Sequence, residues 1–330
     1  MEGERIVKGV YRLPLPIPDN PLQNVAVYLI TGGTETTLVD TGWNVEESWE
    51  ALERYLKKLG LEVSDIRQVV LTHLHPDHSG LAARIKEISG ATILAGDAVN
   101  KHAIGYDALM RAMAETLSRH GLPDPEMELM RLSAATLRPR MRLPAIDRVL
   151  GDGEVIQAGE YRLKVISTPG HAPEHICLYE PVNRLLFAGD HILAGITPII
   201  SRYHPADDDP LDSYYQSLAR VESLDVKIVL PAHQKTFTDL RGRVRGRVKE
   251  IRAHHEKRLG ELQGAMDEEA LTAYQIASRL SWSKPWERMD AWNHQAALLE
   301  TLAHLEYLRR RGKVRMRGGQ QREVFSLVNE

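Results

Sequence analysis

Cysteine is almost absent from this chain: of 330 residues only Cys177 carries a thiol. An internal disulfide is thereby excluded. The run around it, His175-Ile176-Cys177-Leu178-Tyr179, is strand-like, so the thiol reads as a small buried hydrophobe rather than a nucleophile or metal ligand. No uninterrupted apolar stretch approaches the roughly 18 residues that a membrane span needs. The first residues, Met1-Glu2-Gly3-Glu4-Arg5, are charged rather than apolar, and the expectation is a soluble, cytoplasmic protein with no membrane partner. With 43% hydrophobic and 26% charged residues the chain is not disordered, and its length suits two domains. The small net charge of −3 hides an asymmetry, because residues 240–330 hold 18 Lys and Arg against 12 Asp and Glu, leaving 24 against 33 elsewhere. The acidic part suits a cation-binding domain. The basic tail leaves two readings open, a solvated helical surface or contact with nucleic acid or a phosphorylated cofactor.

What the chain does have is concentrated in Thr72-His73-Leu74-His75-Pro76-Asp77-His78-Ser79-Gly80, where four metal-capable side chains fall within six consecutive positions. The preceding Gln68-Val69-Val70-Leu71 is short and apolar, which predicts a buried strand delivering the histidines at its C-terminal end. Side chains two apart share a face of an extended chain, so His73 and His75 can grip one metal while the turn at Pro76 sends Asp77 and His78 towards a second.

Upstream, residues 24–30 and 36–39 form a predicted hairpin around Thr31-Gly32-Gly33-Thr34, ending in Asp40-Thr41-Gly42. Helical spacing follows over 45–60 and again over 81–88. A helical insertion, about 98–145, then breaks the strand–helix rhythm and carries Arg111, Arg119, Arg131, Arg138, Arg140 and Arg142. A lid or substrate wall and a plain surface helix pair both fit it. Beyond it, three further apolar runs end in polar side chains: His171 after Thr168-Pro169-Gly170, Asp190 after Ala188-Gly189, and His233 after Pro231-Ala232. A lone histidine at a strand end is usually structural; the series is hard to explain as core packing.

Zinc accepts imidazole nitrogen and carboxylate oxygen, and a catalytic site keeps a position open for water. The count suits two metals: His73, His75 and His171 for the first, Asp77, His78 and His233 for the second, and Asp190 bridging. A hydroxide between them would be the nucleophile. The carboxylates Asp77 and Asp190 are assigned the catalytic role. Asp40 and His175 are expected behind the ligands, fixing ring tautomers.

With these residues assembled, the sequence resembles the metallo-β-lactamase superfamily, through Leu38-Val39-Asp40-Thr41-Gly42, Thr72-His73-Leu74-His75-Pro76-Asp77-His78, Thr168-Pro169-Gly170-His171, Ala188-Gly189-Asp190 and Pro231-Ala232-His233 in that order. The resemblance implies an αββα sandwich with a dinuclear site at one edge of its two sheets, and it supports the same ligand assignment. True β-lactamases of the superfamily lack the bridging aspartate, and the flavodiiron branch has a glutamate where His75 stands. Sulfur dioxygenases share much of the histidine pattern around a single iron. Glyoxalase II shares all seven ligands, but residues 191–198 do not resemble its continuation.

The last ninety residues, taken as a domain over 241–330 after a hydrolase domain over 1–240, read as helices followed by a basic two-stranded hairpin. They are similar to the winged-helix-like domain of the β-lactamase-like protein 2 branch, whose relatives include a single-strand RNA endonuclease and thioesterases acting on carrier-bound acyl chains. Packing, dimerisation as a homodimer and nucleic-acid binding all fit such a domain, the helix near 291–295 being poor in Arg and Lys. The first functional reading is a dinuclear zinc hydrolase of a thioester or carboxylic ester (acyl-CoA, acyl-carrier or similar), with Fe or Mn as alternative metals. A metal-dependent phosphodiesterase or endoribonuclease on single-stranded RNA is the second. A non-catalytic nucleic-acid-binding regulator is the third, and the complete ligand set argues against it.

Overall fold

The structure, a computed structural model, describes residues 3–33, 35–98, 106–138, 144–202, 209–238, 243–266, 270–318 and 322–328. The chain separates into two compact units. Met1–Ala103, Pro139–Pro198 and Leu218–Arg247 form the first, and Ile104–Arg138, Ile199–Ser217 and Val248–Glu330 the second. The division expected at 240 follows chain order, whereas these units interleave along the chain. Arg140, Arg142 and Arg241 lie outside the described residues.

The first unit is built on two sheets. Strands β1 (Glu4–Val7), β2 (Val10–Pro16), β3 (Asn24–Ile30), β4 (Thr37–Val39), β5 (Gln68–Val70), β6 (Thr92–Gly96) and β7 (Arg148–Leu150) pair in chain order. They are antiparallel up to β4 and parallel from β4 to β7. Helices α1 (Glu46–Lys58), α2 (Pro76–Ser79) and α3 (Ala82–Ser89) lie in the crossovers. The second sheet holds β8 (Val155–Ala158), β9 (Tyr161–Ser167), β10 (Ile176–Glu180), β11 (Leu185–Gly189), β12 (Ile228–Pro231) and β13 (Phe237–Thr238), again paired in chain order, antiparallel except between β11 and β12.

The apolar run of β3 shows why the layers stack. Its side chains alternate, and both faces are buried, which is why the sequence reads as a continuous hydrophobic run. Val25, Val27 and Leu29 join Trp49, Leu52 and Leu56 of α1 and Ile85 of α3 in one core. Ala26, Tyr28 and Ile30 join Val165, Leu178, Phe187 and Leu230 of the other sheet in a second. Tyr28 meets Phe187 edge to face at 5.5 Å between ring centres. Arg220, in the last turn of α6 (Pro210–Glu222), donates to Ser167 O at the end of β9 at 2.9 Å.

The second unit gathers α4 (Tyr106–Arg119) and α5 (Asp124–Leu137) of the expected insertion with the later helices α7 (Arg243–Ala265, which begins in the first unit), α8 (Ala273–Ala277) and α9 (Ala291–Arg310). The hairpin β14 (Val314–Gly318) and β15 (Glu323–Leu327) follows. His120, just past α4, pairs with Glu323 of β15 at 3.2 Å and stacks on Phe325. Glu126 of α5 accepts from Tyr274 at 2.8 Å and from His294 at 3.1 Å. The sequence predicts one buried stripe on α9; the structure buries this helix all round, Glu300, Ala303, His304 and Glu306 included. It packs against α4, α5, α8 and β14 and is buried throughout from Ala297 to Glu306, while Trp292 near its start and Arg309 and Arg310 at its end are exposed. Among the described residues no helix is long and apolar enough to cross a membrane.

Candidate metal centre

β5 ends at Val70, and two residues on the chain turns under the control of Asp40. The Asp40 carboxylate accepts from Thr72 N at 2.8 Å, and Asp40 itself sits at φ +58, a left-handed conformation that aims its side chain at the turn. His73 and His75 leave in extended chain; Pro76 opens α2, which carries Asp77 and His78. The loop between β9 and β10 supplies His171, the end of β11 Asp190, and the end of β12 His233. Gly189 is required just before Asp190: at φ +49, a Cβ there would lie 2.6 Å from His175 Nε2 and 2.8 Å from Thr72 Oγ1.

All seven expected ligands are brought together at one edge of the two sheets. His75 Nδ1 lies 2.9 Å from His73 Nε2 and 3.0 Å from His171 Nε2. His233 Nε2 lies 3.3 Å and His78 Nε2 3.7 Å from Asp77 Oδ2. Asp190 touches both groups, with His171 at 3.5 Å on one side and His233 at 3.4 Å and His78 at 3.7 Å on the other.

The donor chemistry fits a pair of divalent cations. Three ring nitrogens converge on one point in the first group, and shared protons alone cannot satisfy them. Burial holds His73 well below its ordinary pKa; burial, then His171, takes His75 down to about 3, so both rings are neutral ligands at pH 7. Two buried atoms, His78 Nε2 and Asp190 Oδ1, have no hydrogen-bond partner. The second group has the opposite electrostatics. Burial would lower His233, but Asp190 and Asp77 raise it to about 10. His78 is likewise raised against burial by Asp77 and Asp40. Against burial, His78 and His233 hold Asp77 down at about 2. A cation there would replace protons.

Supporting hydrogen bonds choose which nitrogen each ring presents. His78 Nδ1 donates to Asp40 at 2.8 Å. The Thr72 hydroxyl lies 2.9 Å from Asp40 Oδ2 and 3.1 Å from His73 Nδ1. Its one proton goes to the carboxylate, so it accepts from His73 and leaves Nε2 as the free lone pair. His233 Nδ1 donates to Asn24 O at 3.1 Å. His175 stands behind Asp190: its Nε2 accepts from the main-chain N–H of Asp190 at 3.2 Å, and its Nδ1 donates to Thr168 at 2.8 Å. Glu174 accepts from Leu74 N at 2.9 Å, holding the chain between His73 and His75. The sequence reading passed over Thr72, Thr168, Asn24 and Glu174 as supports. Thr72 and Thr168 stand inside the quoted motifs and could have been found there. Cys177 is fully buried with its thiol pushed up to about 12 by burial, in keeping with a packing role.

The family model described as the metallo-beta-lactamase superfamily matches residues 20–233. A probable metallo-hydrolase of Bacillus subtilis is 30% identical over 82% of this chain and 83% of its own length. An acyl-coenzyme A thioesterase of Gallus gallus is 27% identical over 64% of this chain and 73% of its own. Among solved structures, a metallo-beta-lactamase family protein of Thermus thermophilus superposes with a TM-score of 0.81 at 30% identity, covering 98% of this chain and all of that one.

Proposed function

Because the chain belongs to the metallo-β-lactamase superfamily, we propose that it is a hydrolase of thioesters or related carboxylic esters that works with two divalent cations. The observation that carries this reading is the contact of Asp190 with members of both ligand groups. His73, His75 and His171 would hold one cation, Asp77, His78 and His233 the other, with Asp190 between them. Cations bound there supply Lewis-acid polarisation of a carbonyl oxygen and an acidified water, which is the chemistry ester cleavage needs. The all-nitrogen-and-oxygen donor set suits zinc, with iron or manganese as alternatives.

The chain's own residues do the rest. Asp40 and Thr72 keep His78 and His73 in the tautomers that turn Nε2 inwards. His175 pins the main chain of Asp190, whose Oδ2 faces both His171 and His233 while Oδ1 faces His78. Asp77 and Asp190 set the negative charge of the second group and carry the catalytic assignment. The thioester reading is supported by the similarity to a thioesterase.

A metal-dependent ribonuclease is the second reading, favoured by the exposed Arg315 and Arg317 of β14. The winged-helix-like reading of the last ninety residues takes a structural role, since α9 is buried from Ala297 to Glu306 and its partly exposed first turn, Ala291-Trp292-Asn293-His294, carries no Arg or Lys for phosphates. Thiol release from a panel of acyl-coenzyme A and acyl-glutathione substrates by metal-loaded protein tests the proposal, with Asp190→Ala as control. Turnover lost in the variant supports it. No release from any thioester, with metals bound, would move the reading to single-stranded RNA.

A further inference from the structure

The eight residues that follow Asp190, His191-Ile192-Leu193-Ala194-Gly195-Ile196-Thr197-Pro198, contain no acidic residue, lysine or arginine and form no regular element. Such a stretch has few backbone partners of its own, yet it is held at three points. Arg247, near the start of α7, donates from Nε to Leu193 O at 2.8 Å and from Nη2 to Ile196 O at 2.6 Å. Gly195 N donates to the side chain of Gln234 at 2.7 Å. Gln234 is fixed in turn, at φ +68 with its carbonyl accepting from Arg12 at 2.7 Å. The two anchored ends are tied to the metal ligands by sequence: the loop starts one residue after Asp190, and Gln234 comes one residue after His233. His191, Ile192 and Leu193 are buried beneath, while Ala194 and Gly195 are exposed and Ile196 and Thr197 half-buried.

We propose that Arg247 is a positioning residue for substrate selection: its fork holds residues 191–198 as a preformed, uncharged wall on the Asp190 and His233 side of the site, where the apolar acyl group of the substrate is recognised. The proposal rests on the ester hydrolase reading above. A lysine could not replace the arginine, because a single ammonium cannot reach two carbonyls with the fixed geometry of a guanidinium.

The test uses full-length, metal-loaded protein, with Arg247→Ala, Arg247→Lys and Gln234→Asn, and two readouts. In hydrogen exchange, amides of residues 193–197 in Arg247→Ala should exchange roughly tenfold faster or more, the loss expected when two charge-assisted bonds go. In kinetics with acyl-coenzyme A esters of increasing chain length, KM for long chains should rise several-fold while kcat and bound metal stay within about twofold of wild type. Arg247→Lys should fall between the two. Gln234→Asn, which keeps a residue tolerant of left-handed backbone but shortens its reach, loosens the same loop from the other side and stands in if Arg247→Ala does not fold. Unchanged exchange with an unchanged chain-length profile overturns the proposal, as does a fall of kcat and metal content in step with KM. If wild-type protein cleaves no acyl thioester, the hydrolase reading fails and acyl selection with it; loop exchange then still decides whether Arg247 is the clamp.

Discussion

The hydroxyl of Thr72 has one proton and lies between Asp40 and His73; where that proton goes decides which nitrogen of His73 faces the site. Thr72→Val keeps the branched shape and removes the relay. Metal affinity should then fall roughly 10–100-fold with the fold retained, and Thr72→Ser should restore most of it; competitive titration with a chromophoric chelator measures both. The two ligand groups should also part company with pH. His75, held near 3, needs no deprotonation to bind, whereas His233, raised to about 10, carries a proton that a cation must expel. Apparent affinity of the second group therefore rises with pH up to about 10. Bound metal should drop towards one equivalent per chain at about pH 5, and calorimetry in buffers of different ionisation enthalpy should show proton release at neutral pH. No release would contradict the assignment of His233. The ligands were legible because histidine and aspartate recur at strand ends, a pattern packing does not produce. Their supports were not: Asn24 acts through a main-chain oxygen 209 residues from His233, and Glu174 through a main-chain amide 100 residues away.

Among elements, β3 to β7 and β9 to β12 were readable as short apolar runs, whereas β1, β2, β8 and β13 were not read as strands. The helix α6 was passed over, although Leu211, Tyr214, Leu218 and Val221 are buried at helical spacing. The single stripe read on α9 was too narrow, since the middle of the helix, Ala297 to Glu306, is surrounded and buries polar residues that pattern analysis places outside. Glu300 is the costly one. Burial raises it to about 7, with Arg258, 3.6 Å away, pulling the other way. An acid whose folded pKa exceeds its ordinary 4.5 binds more protons folded than unfolded; its contribution is fully present below 4.5 and is lost as the pH rises through about 7. Glu300→Gln should therefore stabilise the second unit by on the order of 1–3 kcal/mol near pH 8 and flatten its stability between about pH 5 and pH 7. Arg258 also donates to Ser281 O at 2.7 Å and to Glu261 at 3.0 Å, so the substitution would not leave it without a partner. Denaturant melts across pH give the answer, and an unchanged slope would refute it.

For the molecule as a whole, the ligands come from loops of both sheets, His73 to His78 from the first and His171, Asp190 and His233 from the second. Cations bound there would tie the sheets together only in the folded state. Chelation should lower the melting temperature, since a ligand at a hundred times its Kd contributes about 2.7 kcal/mol. How the chain divides into units was not legible, because the contacts that draw 104–138 and 199–217 to the C-terminal helices are remote in sequence. The central claim is that Asp190 joins two cation sites into one centre. Metal analysis of protein dialysed at neutral pH tests it directly, on wild type and Asp190→Ala. The account predicts two equivalents per chain in the wild type and at most one tightly held in the variant. A single equivalent in the wild type, or two in the variant at undiminished affinity, would contradict it.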